Sequence, residues 1–335
     1  RINDPEVAED ILARGDADLV SMARPFLADA AFVTKAAAGR ADAINTCIAC
    51  NQACLDHIFA GKPASCLVNP DACREYEAAA PATPRARMVA VVGAGPAGLA
   101  AATTLAERGH RVSLFDAAPR IGGQFNYACR IPGKEDFAET LRYFRTRLRE
   151  LEVTQQLGRT VQAADLAGFD HVVVATGIIP RRPPIPGLDH PKVASYIDVI
   201  EGRHPVGRKV ALIGAGGIGF DVAELLTHPG DSPDPIAAYR EEWGIDAAYT
   251  DNRGGLTPAR MPAPVRELWL LQRKTGKLGA GLAKTTGWAR SLLLKKRGVH
   301  MLGGVEYVGI DDAGLHIRVD GQDRLLEVDT VVLCA

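Results

Sequence analysis

One pattern occurs twice in this chain and fixes most of what it can fold into: an apolar run, a glycine-rich turn and a stretch suited to a helix. The first copy is Val89-Ala90-Val91-Val92-Gly93-Ala94-Gly95-Pro96-Ala97-Gly98, continued by Leu99 to Arg108. The second is Val210-Ala211-Leu212-Ile213-Gly214-Ala215-Gly216-Gly217-Ile218-Gly219. In each, the first glycine (Gly93, Gly214) permits a tight turn and the second (Gly95, Gly216) lets the backbone approach a pyrophosphate. The third (Gly98, Gly219) lets the helix pack closely on the strand, and the helix N-terminus faces the phosphates. Two such units predict an α/β chain with two Rossmann-like dinucleotide-binding domains.

The two units differ in the residues downstream of each turn. The strand predicted after the first helix, Arg111 to Phe115, ends at Asp116, a carboxylate placed to accept hydrogen bonds from ribose hydroxyls. Gly122-Gly123-Gln124 supplies another point of close approach nearby. The matching strand of the second unit, Leu268 to Leu271, runs into Gln272-Arg273-Lys274, with no acid. Cations there suit a ribose 2′-phosphate, which a carboxylate would repel, so the second unit reads as a site for NADPH over NADH. The alternative is a pair of solvated cations at a strand end.

The chain has 335 residues and seven cysteines, four of them between positions 47 and 66. Such clustering in a reducing cytoplasm, the expected location, points to metal and not to disulfides. The spacing Cys47-x2-Cys50-x3-Cys54-x11-Cys66 fits four thiolates around a [4Fe–4S] cluster, three from one loop and one from the next turn. Structural zinc more often uses two Cys-x2-Cys pairs, and only one occurs here, although His57 offers an alternative zinc ligand. Cys73, Cys129 and Cys334 have no spacing partner and read as ordinary thiols. A net charge of −1 gives no electrostatic case for nucleic acid or an anionic membrane. No run of 18 apolar residues exists, and no basic-then-apolar signal segment opens the chain.

Upstream, Asp4-Pro5 begins a helix whose Val7, Ile11 and Leu12 share a face, with Gly15 as the stop. Next come a short strand, Asp18 to Met22, and a helix through Phe26 and Leu27. Arg24 would then stand at the C-terminal end of a strand, where (β/α)8 barrels hold cofactor phosphates; a surface arginine capping a helix is the other reading. Residues 41–75 have little regular pattern and 76–87 read as a linker. A Pro/Gly-rich insertion between Thr227 and Pro264 shows no periodicity. A helix at about Ala283 to Arg297, closed by Gly298, precedes short strands. The start at Arg1 and the stop just past Val331-Val332-Leu333 lead us to expect a longer parent chain.

Two dinucleotide folds, the first interrupted by the second, resemble the layout of FAD/NAD(P) disulfide-reductase-like flavoproteins. His171-Val172-Val173-Val174-Ala175-Thr176-Gly177 is similar to their crossover strand, and Val331 to Ala335 to the point of return. More specifically, the chain resembles bacterial NADPH-dependent 2,4-dienoyl-CoA reductases. The likeness lies in Arg1-Ile2-Asn3-Asp4-Pro5, Ser21-Met22-Ala23-Arg24-Pro25-Phe26-Leu27-Ala28-Asp29 and Asn45-Thr46-Cys47-Ile48-Ala49-Cys50-Asn51-Gln52-Ala53-Cys54. It continues in Ile121-Gly122-Gly123-Gln124-Phe125-Asn126, Leu271-Gln272-Arg273-Lys274, the insertion at Glu242-Trp243-Gly244-Ile245-Asp246, and Lys284-Thr285-Thr286-Gly287-Trp288.

The resemblance implies four regions. Residues 1–40 would be the end of an FMN-binding (β/α)8 barrel of the old yellow enzyme type, and 41–87 an iron–sulfur region and linker. Residues 88–206 would be an incomplete FAD domain and 207–335 an NADPH domain. It further implies that Gly93, Gly95, Gly98, Asp116 and Gln124 line FAD, that Gly214, Gly216, Gly219, Arg273 and Lys274 line NADPH, and that Arg24 contacts the FMN phosphate. The cysteine quartet would hold the cluster. NADPH would reduce FAD by hydride, single electrons would cross the cluster to FMN, and FMN would reduce a dienoyl-CoA in unsaturated fatty acid β-oxidation. The acid residues and acyl-CoA pocket of that family fall outside this sequence. Related readings are an enoate reductase, an amine dehydrogenase (against which Arg273-Lys274 counts) and an electron-transfer module serving a partner protein.

Overall fold

The structure is a computed structural model and describes residues 2–77, 81–249 and 254–334. The chain forms two compact units, 1–179 and 180–335. The first opens with helices α1 (Pro5–Ala13), α2 (Arg24–Ala28), α3 (Phe32–Ala37) and α4 (Leu55–Phe59). As Asp4-Pro5 predicts, Asp4 caps α1, accepting the Glu6 N–H at 2.8 Å, and Gly15 lies just beyond in a left-handed conformation (φ 69°). The strand expected at 18–22 does not form. A strand exists only where a neighbour completes its ladder of hydrogen bonds, and no described segment of this chain pairs there. Leu19 is accordingly 87% exposed.

The remainder of the first unit is a doubly wound half. Its parallel sheet has the order β3-β2-β1-β4, from β1 (Met88–Val92), β2 (Arg111–Asp116), β3 (Thr154–Leu157) and β4 (His171–Val174). Helices α5 (Pro96–Glu107), α6 (Phe125–Ala128) and α7 (Phe137–Glu150) connect the strands. Leu99, Leu114 and Leu148 are fully buried in this core. Each such side chain contributes about 2–3 kcal/mol by leaving water.

In the second unit a parallel sheet of order β5-β12-β6-β7-β8 is built from β5 (Val193–Ser195), β6 (Lys209–Ile213), β7 (Glu267–Leu271), β8 (His300–Leu302) and β12 (Thr330–Leu333). An antiparallel layer is formed by β9 (Glu306–Asp311), β10 (Gly314–Val319) and β11 (Gln322–Leu326). Residues 180–206, grouped at the sequence level with the first dinucleotide domain, lie in this second unit, because Val193–Ser195 pairs with β12. Every residue of β12 is buried, as suits a strand covered on both faces.

Helices α8 (Tyr196–Ile200), α9 (Gly217–Thr227), α10 (Pro235–Trp243) and α11 (Gly287–Lys296) complete the unit. The insertion that lacked periodicity contains α10. Asp234 caps it through the Ala237 N–H at 2.9 Å, and Gly244 ends it with φ 68°. Arg297 donates to Glu242 at 2.8 Å and Lys296 lies 4.9 Å over the Trp243 ring, so α10 is tied to the end of α11 by charge rather than by a buried apolar face. The helix expected from Ala283 starts at Gly287, after a turn in which the Trp288 indole donates to the Thr285 carbonyl. No helix among the described residues is long and apolar enough to cross a membrane.

Candidate dinucleotide and cysteine sites

At the carboxyl end of β1, Gly93 has φ 109°, and a Cβ there would sit 2.2 Å from the Ala175 carbonyl oxygen. A Cβ on Gly98 would meet the Gly93 oxygen at 1.7 Å. Both glycines are therefore required for packing. Gly95 is different: the atom nearest to its Cβ position is 4.0 Å away, so its missing side chain leaves open space above the turn. Asp116 ends β2 with both carboxylate oxygens engaged, one accepting the Ala94 N–H at 2.6 Å and the other the Ala118 N–H at 2.7 Å. A carboxylate has about four acceptor positions, so two remain for ribose hydroxyls. Gly122 donates to the Ala94 carbonyl at 2.7 Å, which docks the Gly122-Gly123-Gln124 loop on the glycine turn.

The second turn repeats this division of labour. Gly214 has φ 114°, and a Cβ on Gly219 would lie 1.9 Å from the Gly214 oxygen, whereas nothing lies within 4 Å of the Cβ position on Gly216. Above it opens a cavity of about 720 Å³ lined by Gly214, Ala215, Gly216, Arg273 and Lys274. Four of the five residues expected to line the second dinucleotide thus meet, and Gly219 packs beneath. Arg181, Lys277 and Tyr307, which carry no sequence signal of their own, share the lining with Cys334, read from sequence as an ordinary thiol. Among the described residues, Arg181, Arg273, Lys274 and Lys277 form no ion pair with a carboxylate. The one acid on the wall among the described residues, Glu306, already pairs with Arg318 at 3.4 Å. The cavity is strongly cationic and suits a ligand with several phosphates. Burial holds the Tyr307 phenol well above its usual range, against the pull of nearby Arg273. Burial likewise raises the Cys334 thiol.

The four clustered cysteines meet in the first unit. Cys47, Cys50, Cys54 and Cys66 line one pocket whose wall is otherwise mostly apolar, with Leu27, Ile48, Ala53 and Val68. Ala49 and Asn51, on either side of Cys50, adopt left-handed conformations with φ 53° and 58°. The Ser65 N–H donates to the Ala53 carbonyl at 2.7 Å and carries the Cys66 segment to the loop. Asn3 holds the Cys47 carbonyl at 3.0 Å, and Asn45 holds that of Val68 at 2.8 Å. From α7, Arg142 reaches the carbonyls of Asp42 and Ile44 and the Thr46 hydroxyl, the last two at 2.8 and 3.0 Å. Burial raises the Cys50 thiol, and the Gln52 N–H aimed at it works against that shift. Cys66 is raised by burial and eased by the N–H groups of Val68 and Asn69.

No three His, Cys, Asp or Glu side chains among the described residues converge tightly enough for a single metal ion. Four sulfurs around one pocket, with N–H groups directed at two of them, are the kind of donor set an iron–sulfur cluster takes. His57 is not part of the wall; its ring nitrogen lies 3.1 Å from the Pro63 carbonyl oxygen. Cys73 is exposed and outside the pocket. Arg24 is on the wall, its guanidinium donating to the Asn51 side-chain oxygen.

Comparison with known proteins agrees with these features. The sequence profile of the pyridine nucleotide-disulphide oxidoreductase family matches residues 87–335, and that of the NADH:flavin oxidoreductase / NADH oxidase family matches residues 1–43. A metal reductase of Desulforamulus reducens is 34% identical over 339 residues, covering 99% of this chain and 50% of that protein. A bilirubin reductase of Mediterraneibacter gnavus is 36% identical over 232 residues, 69% of this chain and 36% of its own. The solved structure of a 2-naphthoyl-CoA reductase with 2-naphthoyl-CoA superposes with a TM-score of 0.83 at 29% identity, covering 99% of this chain and 46% of that one. The chain spans half or less of the length of these relatives.

Proposed function

The chain belongs to the pyridine nucleotide-disulphide oxidoreductase family, and on that premise we propose that it is the electron-input half of an NADPH-dependent iron–sulfur flavoprotein reductase. The observation that carries this reading is the meeting of Cys47, Cys50, Cys54 and Cys66 in one pocket of the unit that also holds the first glycine turn. Arg273 and Lys274 would bind the 2′-phosphate of NADPH, while Gly214 and Gly216 admit its pyrophosphate. Gly93, Gly95, Gly98, Asp116 and Gln124 would hold FAD. Residues 1–40 would close a barrel that binds FMN, with Arg24 directing its remaining N–H groups to the FMN phosphate. When bound, the nicotinamide supplies electrons in pairs, the flavins accept pairs or single electrons, and the cluster carries them singly.

For the acceptor we propose a 2,4-dienoyl-CoA, in support of which stand the motif resemblance and a structural relative named for a CoA thioester. A second reading, a different acceptor fed by the same input half, is favoured by the relative matched along 99% of the chain, which is named a metal reductase. The test is anaerobic purification of the full-length protein that contains this chain. About four irons and four sulfides per chain are expected, with absorbance bleached by NADPH. Stoichiometric zinc without sulfide would overturn the cluster. NADPH oxidation with a dienoyl-CoA, an enoate or ferric iron as acceptor then separates the two readings.

A further inference from the structure

We infer that Arg24 is a charge-tuning residue for the four-cysteine site, raising the reduction potential of the cluster; the inference rests on the cluster reading above. Arg24 begins α2, where Pro25 fixes the backbone, and its side chain lies on the wall of the cysteine pocket. Its guanidinium donates to the side-chain oxygen of Asn51, a residue held at φ 58° between Cys50 and Cys54. The Asn51 carbonyl in turn accepts the Asp56 N–H at 3.0 Å, so the anchor point on the loop is itself fixed. Among the described residues Arg24 has no carboxylate partner.

A cation bound to the loop that carries the sulfurs, with no carboxylate beside it among the described residues, adds one positive charge near a negative centre whether or not an FMN phosphate also contacts it. Four thiolates give a cluster excess negative charge, and each electron taken up adds to it. A fixed positive charge therefore stabilises the reduced form more than the oxidised form. The mostly apolar wall weakens dielectric screening and strengthens the effect. Arginine keeps its proton at any ordinary pH, so the bias is permanent. The N–H groups of Gln52, Val68 and Asn69 act in the same direction but come from the backbone. Among the residues lining the pocket, Arg24 is the one that supplies a full charge.

The experiment is a redox titration of the anaerobically purified full-length protein, with the reduced cluster followed by electron paramagnetic resonance and iron and sulfide measured in parallel. Arg24→Gln and Arg24→Met remove the charge, and Arg24→Lys keeps it. Either neutral variant that retains iron should titrate at a lower potential than wild type, with Arg24→Lys close to wild type. A neutral variant with full iron and an unshifted midpoint overturns the inference. If both neutral variants lose iron, the residue is structural and the inference fails. Wild-type protein free of iron and sulfide would instead remove the cluster reading itself.

Discussion

Replacing Arg273 and Lys274 together with alanine tests the second dinucleotide site. The four cations around the cavity have no carboxylate partners among the described residues, so a bound phosphate meets uncompensated charge. NADPH brings a 2′-phosphate of nearly two negative charges that NADH lacks. Two charge-assisted contacts to that group are worth roughly 2–4 kcal/mol, or about 30- to 1,000-fold in affinity. Arg273 and Lys274 are exposed, so screening puts the expected loss toward the lower end of that range. The assay is the dissociation constant of NADP⁺ against that of NAD⁺ at two salt concentrations. The double variant should lose most of its preference for NADP⁺ while binding NAD⁺ nearly as before, and in wild type the preference should narrow as salt rises. Lys277→Ala, on the same wall, should lose part of the preference. An unchanged NADP⁺/NAD⁺ ratio in the double variant would refute the assignment of these residues to the 2′-phosphate.

Gly219→Ala places a Cβ 1.9 Å from the Gly214 oxygen and should destabilise the fold by about 3 kcal/mol or more, read as a lowered urea midpoint. Gly216→Ala meets nothing within 4 Å at an ordinary φ of −84°, so its midpoint should hold while dinucleotide affinity falls; equal behaviour of the two would contradict the division of roles. Cys54→Ala should abolish iron binding, and Cys73→Ala should leave it intact because Cys73 lies outside the pocket. Arg142→Ala removes the link from α7 to residues 42–46 and should cost about 2 kcal/mol in urea denaturation. A wild-type midpoint would show that the cysteine region does not depend on that link.

Much of this architecture is legible in the sequence because its signals are local. A glycine turn between an apolar strand and a helix is a run of ten residues, and a cysteine loop is a run of eight. The features that sequence reasoning missed depend on distant partners. The apolar stretch at 18–22 reads as a strand by composition, but pairing decides, and Leu19 is left to solvent. In sequence, residues 193–195 read as part of the preceding domain, but their partner is β12, more than 130 residues later. Helix α10 carries the same Asp-Pro opening that revealed α1, and Gly244 to end it. The sequence hides it because the Pro- and Gly-rich residues on either side read together as an irregular insertion. Arg181, Lys277 and Tyr307 join the cavity from three separate segments, and no spacing rule connects them to Gly214.

For a related reason the input side of this protein is easier to read than its acceptor. A pyrophosphate demands a turn without a Cβ and a cationic wall; a cluster demands four sulfurs and inward N–H groups. Under the proposed function those requirements are met by Gly95, Gly216, Arg273 and the cysteine quartet, whatever the electrons finally reduce. Nothing in them distinguishes an acyl thioester from a tetrapyrrole or a metal ion. The three relatives named for such different acceptors match this chain over 69–99% of its length. Acceptor choice is then expected to depend on residues that touch the acceptor. Substitutions at Arg273 or Cys54 should slow every acceptor by the same factor, because each removes electron supply ahead of the point where acceptors differ. A substitution at either position that slowed one acceptor and spared another would place acceptor recognition within these 335 residues.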